Sequence, residues 1–243
     1  MAARTAGIVV IGNEILSGKV ADTNSPWLAH ELRQLGVELR RITTIPDELD
    51  VIADTVREFS RAFDHVFTSG GVGPTHDDVT MEGIARGFDM RVIRHPELEE
   101  GLRRFLKDNV NEAHLKMAEV PEGAELLHDP ALGFPTIKLA NVYILPGIPE
   151  ILRKKFEALR ERFVEEPYYL RVIYTRHSES MIAASLHQAL AEFPDLLLGS
   201  YPKIGDAEYL VKLTMESKDV DYVQRAFDRL VALLPAGSIV RTE

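Results

Sequence analysis

Val66-Phe67-Thr68-Ser69-Gly70-Gly71-Val72-Gly73-Pro74-Thr75-His76-Asp77-Asp78-Val79-Thr80 is a short apolar run that breaks into glycines and then into adjacent carboxylates. It reads as strand, loop and helix start. Gly70, Gly71 and Gly73 allow positive φ and let a ligand reach main-chain N–H groups with no Cβ in the way. Such a loop can cradle an anion. The helix after it, with Asp78 or Thr80 as its expected cap, brings further unpaired N–H groups to the same place. Carboxylates beside a phosphate cradle are electrostatically unfavourable unless a cation lies between them, so Asp77 and Asp78 point to a divalent metal. A glycine-rich strand-to-helix turn with Asp caps is also ordinary α/β architecture. The doubled Asp and the stiffening Pro74 argue for more than that.

Upstream, Gly7-Ile8-Val9-Val10-Ile11-Gly12 is the continuous β-branched run of a strand buried on both faces. It ends in Gly12-Asn13-Glu14. Asp22 to Pro26 offers a cap with proline at the first helical position, and Leu28, Leu32 and Leu35 form a core stripe that stops at Gly36. Val37 to Ile45 reads as a strand broken by Pro46-Asp47, and Val51, Ile52, Val56 and Phe59 carry the next helix. Alternating strands and helices imply a parallel sheet covered on both faces, with ligands outside the carboxyl ends of its strands. That rule gathers Gly12-Asn13-Glu14, Pro46-Asp47 and Ser69 to Asp78 at one edge.

Downstream, Met90 to Arg94 reads as a fourth strand, followed by a helical region from His95-Pro96 to about Glu119. Thr136 to Leu139 and Val142 to Leu145 flank Ala140-Asn141 as a hairpin, and Pro146-Gly147-Ile148-Pro149 leads into a helix running to about Phe163. A boundary near Glu165-Glu166-Pro167 divides residues 1–165 from residues 166–243. The second part reads β-α-β-β-α-β, a small α+β module. It lacks the Gly-x-x-Gly loop and basic aromatic face of RNA-binding domains and reads as a packing or dimerisation unit.

Lysine and arginine total 28 against 38 acids, a net charge of −10, which argues against a nucleic-acid polymer as partner. Arg153-Lys154-Lys155 reads as a solvated helix face. There are no cysteines, so thiolate chemistry and disulfides are excluded. With no long apolar stretch and no separate signal region, a cytoplasmic chain with no membrane partner is expected.

Gly12-Asn13-Glu14-Ile15-Leu16-Ser17-Gly18 with Asp22-Thr23-Asn24-Ser25, then Ile45-Pro46-Asp47, Thr68 to Thr80, and Leu145-Pro146-Gly147-Ile148-Pro149, resemble motifs of the molybdopterin-binding (MoaB/Mog-like) superfamily. The nearest subgroup is the CinA amino-terminal type, similar to the domain attached to eukaryotic FAD synthase. The resemblance extends to Gly199-Ser200-Tyr201-Pro202. It implies a three-layer α/β/α fold, a homodimer or other homo-oligomer, and a site for a nucleotide pyrophosphate (ADP-ribose or FAD type) or a pterin phosphate with Mg²⁺, Mn²⁺ or Co²⁺. Mog-like members adenylate molybdopterin, whereas the CinA-like members imply metal-dependent pyrophosphate cleavage. The sequence departs from CinA relatives at Lys116-Met117-Ala118, Leu127-His128-Asp129 and Gly133-Phe134.

Two readings stand. As an enzyme, Asp47, Asp78 and Glu14 form the catalytic set, with Asp47 or Glu14 as base. Asp78 with Asp77 or Asp47 holds the metal. Gly12, Asn13, Ser69, Gly70, Gly71, Gly73, Thr75, Pro146 and Gly147 bind the ligand. As a non-catalytic pterin or nucleotide binder, the chain needs the same loop. Glu82 serves either the metal through water or the helix dipole. His76 is either a site residue or an exposed loop residue, and His114 and His177 read as structural or surface residues.

Overall fold

The computed structural model describes residues 4–205 and 208–243. The chain divides into two compact units, Met1–Glu165 and Glu166–Glu243.

The first unit runs β1 (Thr5–Ile11), α1 (Asn13–Leu16), α2 (Asn24–Gln34), β2 (Glu38–Ile45), α3 (Leu49–Ala62), β3 (His65–Ser69) and α4 (Thr80–Gly87). It continues with β4 (Val92–Arg94), α5 (Pro96–Leu106), a 3₁₀ turn, α6 (Glu112–Lys116), β5 (Glu119–Pro121), β6 (Glu125–Leu127), β7 (Thr136–Leu139), β8 (Val142–Leu145) and α7 (Pro149–Leu159). Its sheet has the order β2-β1-β3-β8-β7-β6. β2, β1, β3 and β8 are parallel; β7 runs antiparallel to β8, because the Ala140-Asn141 turn between them is too short for a crossover, and β6 pairs antiparallel with β7 and so runs with the other four.

Alternate residues of β1 enter two cores. Ile8 and Val10 meet Leu28 and Leu32 of α2 and Phe156 of α7, while Val9 and Ile11 meet Ile52, Val56 and Phe59 of α3. Helices therefore cover both faces, giving the expected three layers. The register also places the site, because Ile11 pairs with Ile45, Val10 with Ser69, and Ser69 with Leu145. Four parallel strands thus end level, and their following loops open at one edge.

Several local expectations are corrected. Val92–Arg94 pairs antiparallel with Glu119–Pro121 in a separate ribbon. Its half-exposed pattern has no second apolar face to bury in a central sheet. The helical region before Glu119 is broken at Lys107, whose φ is 53°, and restarts with Asn111 accepting from the His114 N–H at 3.0 Å. His114 returns the bond to the Asn111 N–H, completing a capping box. Proline does not open α2, which begins two residues earlier at Asn24. Lys155 is not on a solvated face: it lies on the buried side of α7 with Leu152, Phe156 and Leu159.

The second unit runs β9 (Tyr169–Thr175), α8 (Glu179–Glu192), β10 (Leu197–Pro202), β11 (Val211–Ser217), α9 (Val220–Leu233) and β12 (Ile239–Thr242). Its antiparallel sheet, ordered β10-β11-β9-β12, packs Ile173, Leu213 and Met215 against Ile182, Val223 and Leu230 of the two helices. By sequence Pro202 to Asp206 reads as a turn between two of these strands, and Asp206 lies outside the described residues.

Candidate functional site

The glycine loop is built by steric necessity. Gly70 has φ 109°, and a Cβ there would stand 2.1 Å from the Ile11 carbonyl oxygen, so β1 and β3 can close on each other only with glycine at this position. Gly71 has φ 62°, and its Cβ would meet Thr80 Oγ1 at 2.3 Å and Asp47 Oδ1 at 3.5 Å. The Thr80 N–H donates to the Gly71 carbonyl at 3.0 Å and its hydroxyl to the Gly70 carbonyl at 2.9 Å, tying α4 back onto the loop. Lys116 braces the far side, donating to the Thr75 carbonyl at 2.6 Å and the Asp78 carbonyl at 2.9 Å.

The loop forms one wall of a cleft of about 730 Å³. Glu14, Asp22, Asn24, Ser69, Gly70, Gly71, Gly73, Asp78, Pro146 and Gly147 line it, together with apolar Val20, Val72, Ile148 and Ile151. Asn24 joins three loops: its Nδ2 donates to Ser69 Oγ at 2.9 Å and to the Gly147 carbonyl at 2.8 Å. Its Oδ1 is buried and has no partner. Since both bonded neighbours need a donor or sit on an oxygen, the amide orientation is set by the network. Asp22 fixes Asn24 in place, accepting from the N–H groups of Asn24 and Ser25, each at 3.0 Å, and from the Ser25 hydroxyl.

The cleft wall carries three carboxylates, Glu14, Asp22 and Asp78, and among the described residues lining it there is no Lys, Arg or His. An anionic ligand there meets no basic side chain on the wall, so the donors open to it are main-chain N–H groups and neutral polar side chains.

The aspartates divide in role. Asp78 does not cap α4, whose first turn receives no side-chain cap. Instead its Oδ2 accepts from the Thr75 N–H at 2.8 Å and from the Thr75 hydroxyl, closing the loop on itself. Thr75 is spent on that bond and does not line the cleft. Asp47 Oδ2 accepts from the Asn13 N–H at 2.7 Å and so fixes the turn after β1. Neither Asp47, Asn13 nor Gly12 is on the cleft wall. Asp77 is exposed beside His76. Among the described residues no three His, Cys, Asp or Glu side chains are grouped so as to hold a metal by themselves. The donor set nevertheless suits a hard cation shared with phosphate oxygens, which needs only one or two protein carboxylates. Asp78 is the one expected metal ligand on the cleft wall.

Sequence reasoning missed Asn24 as a site residue. It missed Lys116 and Lys155 too. Lys155 Nζ donates to the Phe134 carbonyl at 2.9 Å and the Pro135 carbonyl at 2.6 Å, and burial pushes its pKa down to about 8.

Residues 7–166 match the family model described as a probable molybdopterin binding domain. The chain belongs to this family. Residues 167–243 match the FAD synthase middle domain. A protein of Archaeoglobus fulgidus is 37% identical over 227 residues, covering 93% of this chain and 96% of its own length. The probable FAD synthase of Caenorhabditis elegans is 34% identical over 98% of this chain, which spans only 51% of that protein. The crystal structure of CinA, a protein of unknown function from Thermoplasma acidophilum, superposes with a TM-score of 0.60 at 28% identity, covering 67% of this chain and all of that one. No helix of the described residues is long and apolar enough to cross a membrane.

Proposed function

We propose that this molybdopterin-binding-family chain binds a nucleotide pyrophosphate of the ADP-ribose or FAD type in the cleft and hydrolyses it. The observation that carries the reading is the pairing of a loop in which glycine is sterically required with a cleft wall bearing carboxylates and no basic side chain. Main-chain N–H groups of Gly71 to Gly73 hold the pyrophosphate, the Gly70 N–H being given to the Leu145 carbonyl at 3.2 Å. A Mg²⁺, Mn²⁺ or Co²⁺ would be held by Asp78 and would supply charge neutralisation for the phosphates. Glu14 accepts a proton from water as its oxygen adds to one phosphorus, and the bridging P–O bond breaks to leave two phosphate monoesters. Asp47 acts by positioning the Asn13 turn, and Asn24 Oδ1 accepts a ligand hydroxyl or N–H.

The test is product formation from ADP-ribose and FAD with each cation, in wild type, in Asp78→Asn and with chelator. Asparagine keeps an acceptor for Thr75, so stability should hold while metal-dependent turnover is lost. Full turnover in the variant or in chelator would remove Asp78 from the mechanism.

A second reading, a pterin-phosphate binder that does not hydrolyse its ligand, is favoured by the family model's description. It is distinguished by binding without product. We also propose a homodimer, supported in the second unit by exposed Leu170, Met181 and Leu197. A monomer by light scattering at tens of micromolar would refute this.

A further inference from the structure

A strand at the edge of a sheet leaves main-chain N–H and C=O groups open, and six strands of the described residues stand at such edges. Five are guarded. β2 holds Glu38, Arg40 and Arg41 and shifts register against β1, β12 holds Arg241 and shifts register against β9, and β4, β5 and β6 are each three residues long. β10 has no such device before Pro202 at its end: its six residues, Leu197 to Pro202, include no charge and pair with β11 in unbroken register. The ladder fixes which of its groups face out. Val172 exchanges both main-chain bonds with Glu243 on the β12 side, so Ile173 turns to β11, its partner Leu213 turns back to β9, and Lys212 and Thr214 turn to β10. Their partners Tyr201 and Gly199 therefore turn inward, and Leu198 and Ser200 present N–H and C=O groups beyond the edge. Leu197 and Tyr201 are exposed on the face away from α8 and α9, since the alternate residue Leu198 packs into the core under those helices. A Cβ on Gly199 would meet the Tyr201 ring at 2.6 Å, so glycine lets that ring lie across the strand.

We propose that β10 pairs antiparallel with β10 of a second copy of this chain, about a two-fold axis at Gly199, joining two four-stranded sheets into one. The assignment rests on the homodimer reading and names the edge that forms it. This axis sets Leu198 opposite the partner's Ser200, so the outward N–H groups of both strands all find carbonyls. Neighbouring registers do worse. Pairing Ser200 with itself sets Leu198 opposite Pro202, which has no N–H, and pairing Leu198 with itself sets Ser200 opposite Leu196, whose N–H is already given to the Phe193 carbonyl. With the axis at Gly199, that glycine faces its own copy in a non-hydrogen-bonded pair, where the main chains approach to about 4.5 Å between Cα atoms. Leu197 meets the partner's Tyr201 on the exposed face. Asp195 and Lys203, both exposed and equally far from Gly199 on either side, come opposite each other with unlike charge. Hydrogen bonds, apolar pairs and charges thus match when the second strand is a copy of the first.

Sedimentation velocity of the intact chain over a range of concentrations reads the assembly, with thermal melts beside it. Wild type should be dimeric. Ser200→Pro deletes an outward N–H, a change an edge strand tolerates, and should be monomeric, while Ser200→Ala keeps the N–H and should stay dimeric. Lys203→Glu sets two acids against each other and should raise the dissociation constant about tenfold or more at low salt; adding Asp195→Lys to it should restore the wild-type value. The Leu198 and Ser200 amides should exchange slowly in the dimer and rapidly on dilution. A wild-type dimer that neither Ser200→Pro nor Lys203→Glu weakens, or one in which both amides exchange fast, would overturn the edge assignment and leave the homodimer reading standing. A wild-type monomer at tens of micromolar would overturn both and leave the edge to a strand of another protein. Should Ser200→Pro fail to fold, the charge swap alone decides.

Discussion

Replacing Lys155 by methionine removes a buried charge while nearly keeping the side-chain volume, and the structure sets the size of the effect. The ammonium is 8% exposed, and burial lowers its pKa from 10.5 to about 8, a difference of 10.5 − 8 = 2.5. Between those two values the unfolded chain holds a proton that the folded chain has released, so stability rises with pH. The slope is up to about 1.4 kcal/mol per pH unit, or about 2 kcal/mol from pH 8 to 9.5. Below pH 8 both states are protonated and this contribution is flat. Tyr143 titrates in the opposite sense, since burial raises its pKa, but it is present in both proteins and cancels in their difference. The assay is urea unfolding at half-unit steps from pH 7.5 to 9.5, followed by Trp27, the chain's one tryptophan, whose ring packs edge-on to Phe156 at 5.6 Å within the first unit. Wild type should gain stability relative to Lys155→Met across that range. Parallel pH profiles would refute the buried, desolvated lysine.

Gly70→Ala should destabilise the first unit by about 3 kcal/mol or more, read by the same Trp27 transition. Its Cβ would overlap a carbonyl oxygen of the neighbouring strand, which no rotamer relieves. Asn24→Ala leaves the buried Ser69 hydroxyl and the part-buried Gly147 carbonyl without their donor and should cost about 1–3 kcal/mol, together with loss of ligand affinity measured by calorimetry. His65 is buried against Phe163 with Nε2 unpartnered, and desolvation lowers its pKa. The unfolded chain therefore binds the proton first as pH falls through about 6.5, and stability should drop there, with His65→Phe removing that part of the acid slope in unfolding experiments at pH 5–7.

The parallel sheet was legible because its signals are local: β-branched runs such as Gly7 to Gly12, ended by breakers at Gly12, Pro46 and Gly70, fix strand ends before any tertiary contact is known. The level ending of those strands follows from topology alone, so the cleft's position was readable too. Asn24 was not, because its function lies in bonds to residues 45 and 123 positions away. Asp78 misled as a cap because its nearest donors are in the turn before it, where Thr75 outcompetes the helix end. Lys155 misled because a charge run describes a helix's composition and not its rotation; Leu152, Phe156 and Leu159 decide which side faces inward. The partner of the three-residue β4 was not legible, because a short apolar run does not say which strand it pairs with.

The central claim is that the glycine loop and acidic wall of the first unit form a pyrophosphate site, and a crystal structure with ADP-ribose and Mn²⁺ tests it most directly. The two phosphates should lie against the main-chain N–H groups of Gly71 to Gly73, with the cation held by Asp78 and a ligand donor on Asn24 Oδ1. A ligand bound elsewhere with this loop empty, or phosphates facing away from it, would contradict the account.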